Sequence, residues 1–468
     1  MSTTTIKHLT FTCTTIFALS LLSACTVGPD YQPPTTVNTD SLKHHQGWQP
    51  LPEQSWANSG QWWQAFEDDT LNTLIEQANN SNQTLAQAAA RYRAALAQRS
   101  SSRSAYSPML GATLNQSRSD GSGGTVVSER ANATLNISWE PDLWGRVRRQ
   151  VEADTASVDS SAADLAAAHL SIQLAVINSY INLRALDQQK QILDKTLASS
   201  ERSAELTRNQ YDAGIVSRAD VIQAETQLQL QRSDIYDLQN QRAIEENTIA
   251  VLLGIAPVNF SLLPAAFMPS VPAIPEQIPG QLIARRPDVV AAERSVAAAN
   301  AGIGVAIAAW LPEFTISANR GVSGDSISDL WNAPIHFWSV GPGLSQLIFD
   351  GGKRQAAKDA AIARYDEQVA AYRQTVLEGL RDIENALATT TILREKVVQQ
   401  DKLVKLAEEN ERVISNRYKS GLVSFLEVAI AQNTTLNARR GQISVTTEQL
   451  SAAAELAASI GGSWQTEG

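Results

Sequence analysis

The stretch "YDAGIVSRADVIQAE" (211–225) returns later in the chain as "YKSGLVSFLEVAIAQ" (418–432). Tyr211 aligns with Tyr418, Gly214 with Gly421, Ser217 with Ser424 and Asp220 with Glu427, each pair 207 residues apart. Self-similarity at a fixed period decides the fold before any local reading does, because each half must then be one structural unit. Each copy reads as a glycine-centred reversal between two helices. Glycine supplies the positive φ that ends one helix, and Ser followed three residues on by an acid opens the next.

Working outward, roughly 65 residues between "EPDLWGR" (140–146) and Gly214 contain no proline, enough for a helix on the order of 100 Å long. Leu183, Leu186, Lys190, Leu193 and Leu197 keep a 3-4 spacing, so this helix packs in coiled-coil fashion on neighbours. Ahead of it, "RANATLNISWE" (130–140) alternates strictly, with Ala131, Ala133, Leu135, Ile137 and Trp139 on one face and polar residues on the other. It pairs with "MLGATLNQS" (109–117) as a hairpin across the Gly/Ser-rich "DGSGG". Upstream, 71–107 reads as a single helix ended by Pro108.

The same order recurs after a Pro-rich linker, 257–284. Repeat 1 covers 71–256, with its hairpin at about 109–140. Repeat 2 covers 285–462, with its hairpin at about 313–349, and 463–468 form a tail. Pro312 follows Pro108 by 204 residues, which places three extra residues in the second hairpin region. Pro108, Gly145, Pro312, Gly351 and Gly352 mark the strand–helix junctions, and "DGGKRQ" (350–355) opens the second long helix.

The N-terminus carries Lys7 and His8, an apolar run from Leu9 to Leu22, and "LSAC" (22–25). A basic start, a short apolar stretch and small residues at a cut site describe a signal peptide, here 1–24. Cys25 at the cut gives it the look of a lipoprotein signal, with Cys25 as the acylated first residue; an ordinary signal with a chance cysteine is the alternative reading. Thr26 follows, rather than the Asp of inner-membrane retention, so an outer-membrane destination is implied. Residues 25–70 then form the acylated Cys and an extended segment. With Cys13 in the removed segment and Cys25 taken as the anchor, no cysteine is left for a disulfide or metal cluster. No later stretch approaches 18 consecutive apolar residues, so spanning a membrane calls for β-strands. Four short strands cannot close on themselves, and assembly of several chains into a shared barrel resolves this. Trp139, Trp144, Trp310 and Trp338 are placed at strand ends as interfacial aromatics, against the alternative of a soluble sandwich with buried tryptophans.

A net charge of −10 argues against nucleic acid as a partner. The five histidines (8, 44, 45, 169, 336) are scattered, and the glycines of "GIGVAIAAW" (302–310) lack the context of a phosphate loop, so no enzyme is expected. Three methionines, Met1, Met109 and Met268, argue mildly against a soft-metal relay.

Taken together, "CTVGPDYQPP" (25–34), "WWQAFEDDTLNTLIEQA" (62–78), "RRPDVVAAE" (285–293), "WLP" (310–312), "GPGLSQLIFDGG" (341–352), "YKSGLVSFLEV" (418–428) and "SIGGSW" (459–464) give the chain a resemblance to the outer-membrane factor (TolC/OprM-like) family, in its lipoprotein branch paired with resistance-nodulation-division (RND) pumps. The resemblance implies a mixed α and transmembrane β fold. Three chains, four strands each, build a 12-stranded outer-membrane barrel continuous with a long periplasmic α-helical barrel. It also implies an exit duct that works with a periplasmic adaptor and an inner-membrane pump, with no cofactor beyond the lipid on Cys25. The Gly214 and Gly421 turns become periplasmic tips. There Tyr211 and Tyr418 are assigned hydrogen bonds between neighbouring hairpins, and Asp220 either lines the pore or simply stabilises a helix start. Glu427 is assigned to the pore. Relatives in that family often carry an Asp where this chain has Ile430, which leaves Leu426 and Ile430 as a possible apolar constriction. The competing readings are a periplasmic coiled-coil scaffold or adaptor lipoprotein without a pore, and a cell-wall-processing lipoprotein.

Overall fold

A computed structural model describes residues 26–35, 61–120, 127–272 and 285–462. In chain order these are α1 (Asp69–Ser81), α2 (Gln83–Ser104), β1 (Met109–Asp120), β2 (Val127–Trp139), α3 (Arg146–Asp212), α4 (Arg218–Leu252), α5 (Pro287–Ala308), β3 (Glu313–Gly324), the short α6 (Asp329–Asn332), β4 (Ile335–Ser345), α7 (Lys353–Lys419) and α8 (Phe425–Ser459). The two long helices have 67 residues each and the two return helices 35 each. Two compact units divide them: one holds Ala90–Ala162 and Ala291–Gln374 with the N-terminal leader, the other Ala163–Val290 and Thr375–Gly468 with the segment before Ala90.

The first unit is organised by an antiparallel sheet in the order β1-β2-β3-β4. Directly opposed residues share a face. The register pairs Leu110 with Ile137, Leu114 with Ala133, Leu135 with Arg320, Ala318 with Val340 and Phe314 with Leu344. Arg320 apart, these positions form one apolar face across all four strands, on which Leu110, Leu114, Leu135, Val340 and Leu344 are each more than half exposed. The other face carries Thr113, Asn115, Asn132, Thr134, Asn136, Ser317, Asn319 and Ser339. A soluble sheet buries its apolar face; this one presents it outward, as a sheet in lipid does. The sandwich alternative therefore fails on exposure.

The leader is tied to this unit by Arg149, which is 3% exposed. Its guanidinium donates to the Val27 carbonyl at 3.1 Å, the Asp30 carboxylate at 2.8 Å and Glu152 at 2.8 Å. Asn300 donates to the Pro29 carbonyl at 3.0 Å, and Tyr31 to Glu293. Gly28 (φ +99) lies so close to Gly304 that a Cβ there would come within 2.5 Å of its Cα, so the strand of leader fits only as glycine on glycine.

The second unit buries Trp62, Phe66, Leu71, Ile75, Ile177, Tyr180 and Ile181 with Leu450 and Ala454. Asp68 caps α1, accepting from the Thr70 and Leu71 amides at 2.9 and 3.0 Å, and its second oxygen accepts from the Tyr180 hydroxyl at 2.7 Å. Burial, with Asp68 adding to it, lifts the Tyr180 phenol to about 12. The single helix expected over 71–107 is broken at Asn82, an extended residue between α1 and α2. The Asn82 side chain accepts from the amides of Thr84 and Leu85 at 2.8 and 3.0 Å, and donates to the Leu252 carbonyl at 2.7 Å. A cap that also fastens α4 outweighs the propensity of its neighbours. A second departure concerns α3, which does hold an 18-residue window long and apolar enough for a membrane span. Only 22% of that window is buried, although Val176, Ile177, Tyr180 and Ile181 of α3 are wholly buried in this core.

Asp187 anchors the segment after α4. Its carboxylate accepts from Arg184 at 3.1 Å, Arg242 at 2.7 Å and the Ala265 amide at 3.0 Å. Arg184 also donates to the Leu263 carbonyl at 2.9 Å and lies over the Tyr180 ring at 4.9 Å. Removing one partner of a buried charge cluster strands the others, at a cost of about 3–5 kcal/mol. Asp187→Ala is therefore expected to lower the unfolding midpoint followed by circular dichroism far more than Asp194→Ala. Asp194 joins only an exposed pair with Lys190, worth about 0.3–0.5 kcal/mol. Equal midpoints for the two variants would remove Asp187 from its anchoring role.

Candidate functional site

The two helical reversals are built alike in backbone. Gly214 has φ +74 and Gly421 φ +72. At the first, the Gly214 amide donates to the Tyr211 carbonyl at 2.9 Å and Ile215 to Gln210 at 2.8 Å; at the second, Gly421 donates to Tyr418 at 2.9 Å and Leu422 to Arg417 at 3.0 Å. This closes the last carbonyls of α3 and α7 in the same left-handed cap. No heavy atom outside the chain neighbours stands within 4 Å of a Cβ added at either glycine, so the requirement is conformational and not one of space.

The side chains differ. Ser217 and Asp220 form a reciprocal box: Ser217 N donates to Asp220 Oδ2 at 3.1 Å, and Asp220 N to Ser217 Oγ at 3.4 Å. Asp220 is thus engaged in starting α4. Ser424 makes no such side-chain cap, and Glu427 is exposed on α8. Leu426 and Ile430, 51% and 57% exposed, stand one turn apart beside it. Phe425, Val428 and Ala429 turn the other way, into a cluster with Ala224 and Tyr418.

The tyrosines, paired in the sequence, part company here. Tyr418 is buried; its hydroxyl donates to Gln210 Oε1 at 2.8 Å, lies 2.8 Å from Thr207 Oγ1, and its ring meets Phe425 edge-on at 5.8 Å. Burial raises the phenol above its ordinary value, and Asp220 adds to this, against the hydrogen bond from Thr207. Tyr418 therefore bridges α7 to α3, joining the two hairpins of one chain. Tyr211 is exposed. Further along, Gln227 and Asn433 exchange bonds at 2.6 and 3.1 Å and Arg440 pairs with Asp234 at 2.8 Å, linking α4 to α8. Sequence reading missed Thr207 and Gln210, which lack repeat partners of like chemistry. It also missed Ile215 and Leu422, 70% and 68% exposed immediately after the two glycines.

At the strand–helix junctions, Pro108 and Pro312 directly precede β1 and β3, and Gly145, Gly351 and Gly352 adopt positive φ. Trp139 donates through Nε1 to the Tyr106 carbonyl at 3.0 Å, Trp144 to the Pro312 carbonyl at 2.7 Å, and Arg354 lies over the Trp310 ring at 4.9 Å. Trp338 does not join them. It pairs with Arg320, four residues along β3 from the Trp139–Ile316 row, and belongs to a different level of the sheet. Cys25 lies outside the described residues, but Val27 beside it donates to the Trp144 carbonyl at 3.2 Å, and a Cβ on Gly145 would touch Thr26 at 2.9 Å. Among the described residues no group of His, Cys, Asp and Glu is arranged to hold a metal.

The family model for outer membrane efflux proteins matches residues 74–255 and 278–462, one match to each half of the repeat. The pyoverdine export outer membrane protein OpmQ of Pseudomonas putida is 29% identical, with 98% of each chain covered. The cation efflux system protein CusC of Escherichia coli is 28% identical, covering 95% of this chain and 97% of that one. Among solved structures, the outer-membrane channel OprN superposes with a TM-score of 0.84 at 31% identity, covering 94% of this chain and 99% of OprN. The open state of the Neisseria gonorrhoeae outer membrane channel MtrE gives 0.82 at 26%, covering 94% and 98%. With both halves of the repeat matched and the same fold present in solved outer-membrane channels, this chain belongs to the outer membrane efflux protein family.

Proposed function

We propose that this chain is the outer-membrane exit duct of a tripartite efflux pump, anchored by lipid at Cys25 and gated where its helices reverse. The observation that carries the reading is the sheet: an outward apolar face, a polar opposite face, and two edge strands each paired on one side only within the chain. In hydrocarbon, unpaired backbone groups cost several kcal/mol each, so β1 and β4 need partners. An even number of antiparallel strands lets β4 of one copy run antiparallel to β1 of the next, and three copies give twelve strands around a polar lumen. Transport through it is passive, and no residue is assigned a catalytic role. The named relatives handle pyoverdine in one case and cations in another, so a common duct accommodates different cargoes and the adaptor and pump select among them. A pore-free scaffold has no use for a lipid-facing sheet.

At the reversals, the Tyr418 bonds to Thr207 and Gln210 hold the two hairpins of one chain together. The seam between chains falls to Tyr211, and Leu426 and Ile430 supply an apolar ring with Glu427 beside it. Conductance across a planar bilayer in asymmetric salt tests both levels. Stepwise openings with a cation-selective reversal potential are expected from wild type. Tyr418→Phe with Leu426→Ala is expected to raise open probability severalfold and admit larger antibiotics; unchanged exclusion would remove these residues from the gate. Folded protein that never inserts would favour the scaffold.

The leader places Thr26 and Val27 against the Gly145 junction, where an acyl chain on the preceding residue reaches the bilayer that receives β2. Metabolic labelling with a palmitate analogue is expected to mark wild type and not Cys25→Ser. Label retained on the serine variant would move the anchor elsewhere.

A further inference from the structure

Beyond the Arg118–Glu129 pair near the β1–β2 end, the otherwise apolar face of the sheet carries two basic side chains. Arg320 and His336 sit on it in adjacent rows, Arg320 opposite Leu135 and Trp338, and His336 opposite Val322. Above them the segment between β3 and β4 folds back over the same face. Ala131 beneath it is wholly buried, and a Cβ on Gly324 would lie 2.8 Å from the Asp329 Cβ of α6. Between this flap and the two basic residues lies a cavity of about 610 Å³, floored by Leu114, Leu135 and Val322 and walled by Trp331. Trp331 is 84% exposed and Trp338 75%.

The level of the cavity defines its surroundings. Arg320 is the eighth residue of β3, and a rise of about 3.3 Å per residue with the usual barrel tilt puts its Cα roughly 18 Å from the strand's start. The apolar band of such barrels is about 25 Å tall, and a long basic side chain extends its head toward the band's edge. A cation facing hydrocarbon is unfavourable unless an anion or the interface receives it. Neither carboxylate near the cavity forms an ion pair with Arg320: Glu129 pairs with Arg118 at 3.1 Å, and Asp329 accepts from Ser326 Oγ at 2.7 Å. An apolar floor, a guanidinium without a carboxylate partner among the described residues, and exposed indoles at one level match a single kind of ligand. It has acyl chains, an anionic head and a position in the outer half of the bilayer.

We infer that this cavity binds the phosphate-bearing headgroup of an outer-leaflet lipid. Arg320 receives the phosphate in charge-assisted hydrogen bonds, His336 stands beside it, and an acyl chain lies along Leu114, Leu135 and Val322. The site rests on the sheet being lipid-facing, as the duct reading requires, and adds a specific ligand to it.

Native mass spectrometry of the full-length trimer in detergent, titrated with diphosphoryl lipid A, tests the assignment. Up to three adducts per trimer are expected, at an apparent Kd at least tenfold weaker for Arg320→Gln and close to wild type for Arg320→Lys. Lipid A stripped of phosphate is expected to bind as weakly to wild type as the intact lipid binds to Arg320→Gln. Inorganic phosphate at millimolar concentration is not expected to compete. Equal adducts for wild type and Arg320→Gln, or equal binding of the phosphate-free lipid, would overturn the site. Competition by inorganic phosphate would make it a free-anion site and overturn the lipid assignment. Bilayer conductance of the same preparations separates this outcome from a failure of the duct reading. Should Arg320→Gln not assemble, Trp331→Ala serves in its place: a severalfold weaker adduct supports the cavity, and an unchanged one overturns it.

Discussion

Backbone hydrogen bonding at the two sheet edges is the constraint from which the remaining architecture follows. β1 and β4, 12 and 11 residues long, are each paired along one side only, so about half of their amides and carbonyls face outward unpaired within the chain, beside an outward apolar face. Water cannot satisfy them there, so the chain is incomplete alone, and only another copy presents the complementary edge in the right direction. A monomer built this way has no stable place in a bilayer. Each hairpin supplies two antiparallel strands, so every junction stays antiparallel, and the duplication doubles each copy's share of the sheet to four strands.

The helical part obeys a different rule. α3 and α7 carry polar residues around most of their circumference, and packing is concentrated in a few local clusters: the large one around Tyr180, and smaller ones around Leu193 and Tyr418. Between clusters, bonds such as Gln227–Asn433 and Arg440–Asp234 fix register without much apolar burial. Elements held mainly by polar bonds slide and reopen at lower cost than those locked in a core. The core around Tyr180 is also where Asp68, Arg184, Asp187 and Arg242 converge, so the charged anchors and the dense packing coincide in one place.

Much of this was legible in the residues. Period-2 alternation at 130–140 and the 207-residue repeat carry the strands, the long helices and the turns, since both are backbone periodicities written directly into side-chain order. What escaped had long-range causes. The break at Asn82 depends on Leu252 and on Gly254, whose Cβ would lie 2.2 Å from the Ser81 carbonyl oxygen; nothing in "NNSNQT" announces a partner 170 residues away. Trp338 looked like a strand-end aromatic because register, which alone sets its level, is a property of two strands. The apolar window in α3 was hidden for the opposite reason: His169 and Gln173 interrupt the run, yet its average suffices for a membrane span.

The repeat also shows how equivalent positions take unequal roles. Ser217-Arg-Ala-Asp220 and Ser424-Phe-Leu-Glu427 are equivalent by alignment, and both acids sit at the third helical position, where a carboxylate either returns to the cap or projects outward. Asp220 returns to Ser217. Glu427 does not, and the residue between explains the contrast: Phe425 occupies the place of Arg218 and is driven into the Tyr418 cluster by burial. That apolar anchor orients the first turn of α8 so that Leu426, Glu427 and Ile430 share its exposed side. One repeat has spent its acid on a helix start that an exposed Arg218 leaves otherwise unfastened, while the other starts its helix by packing and keeps its acid for the surface. Within one chain the two reversals are thus unequal: Tyr418 is packed between the hairpins while its repeat counterpart Tyr211 stays exposed.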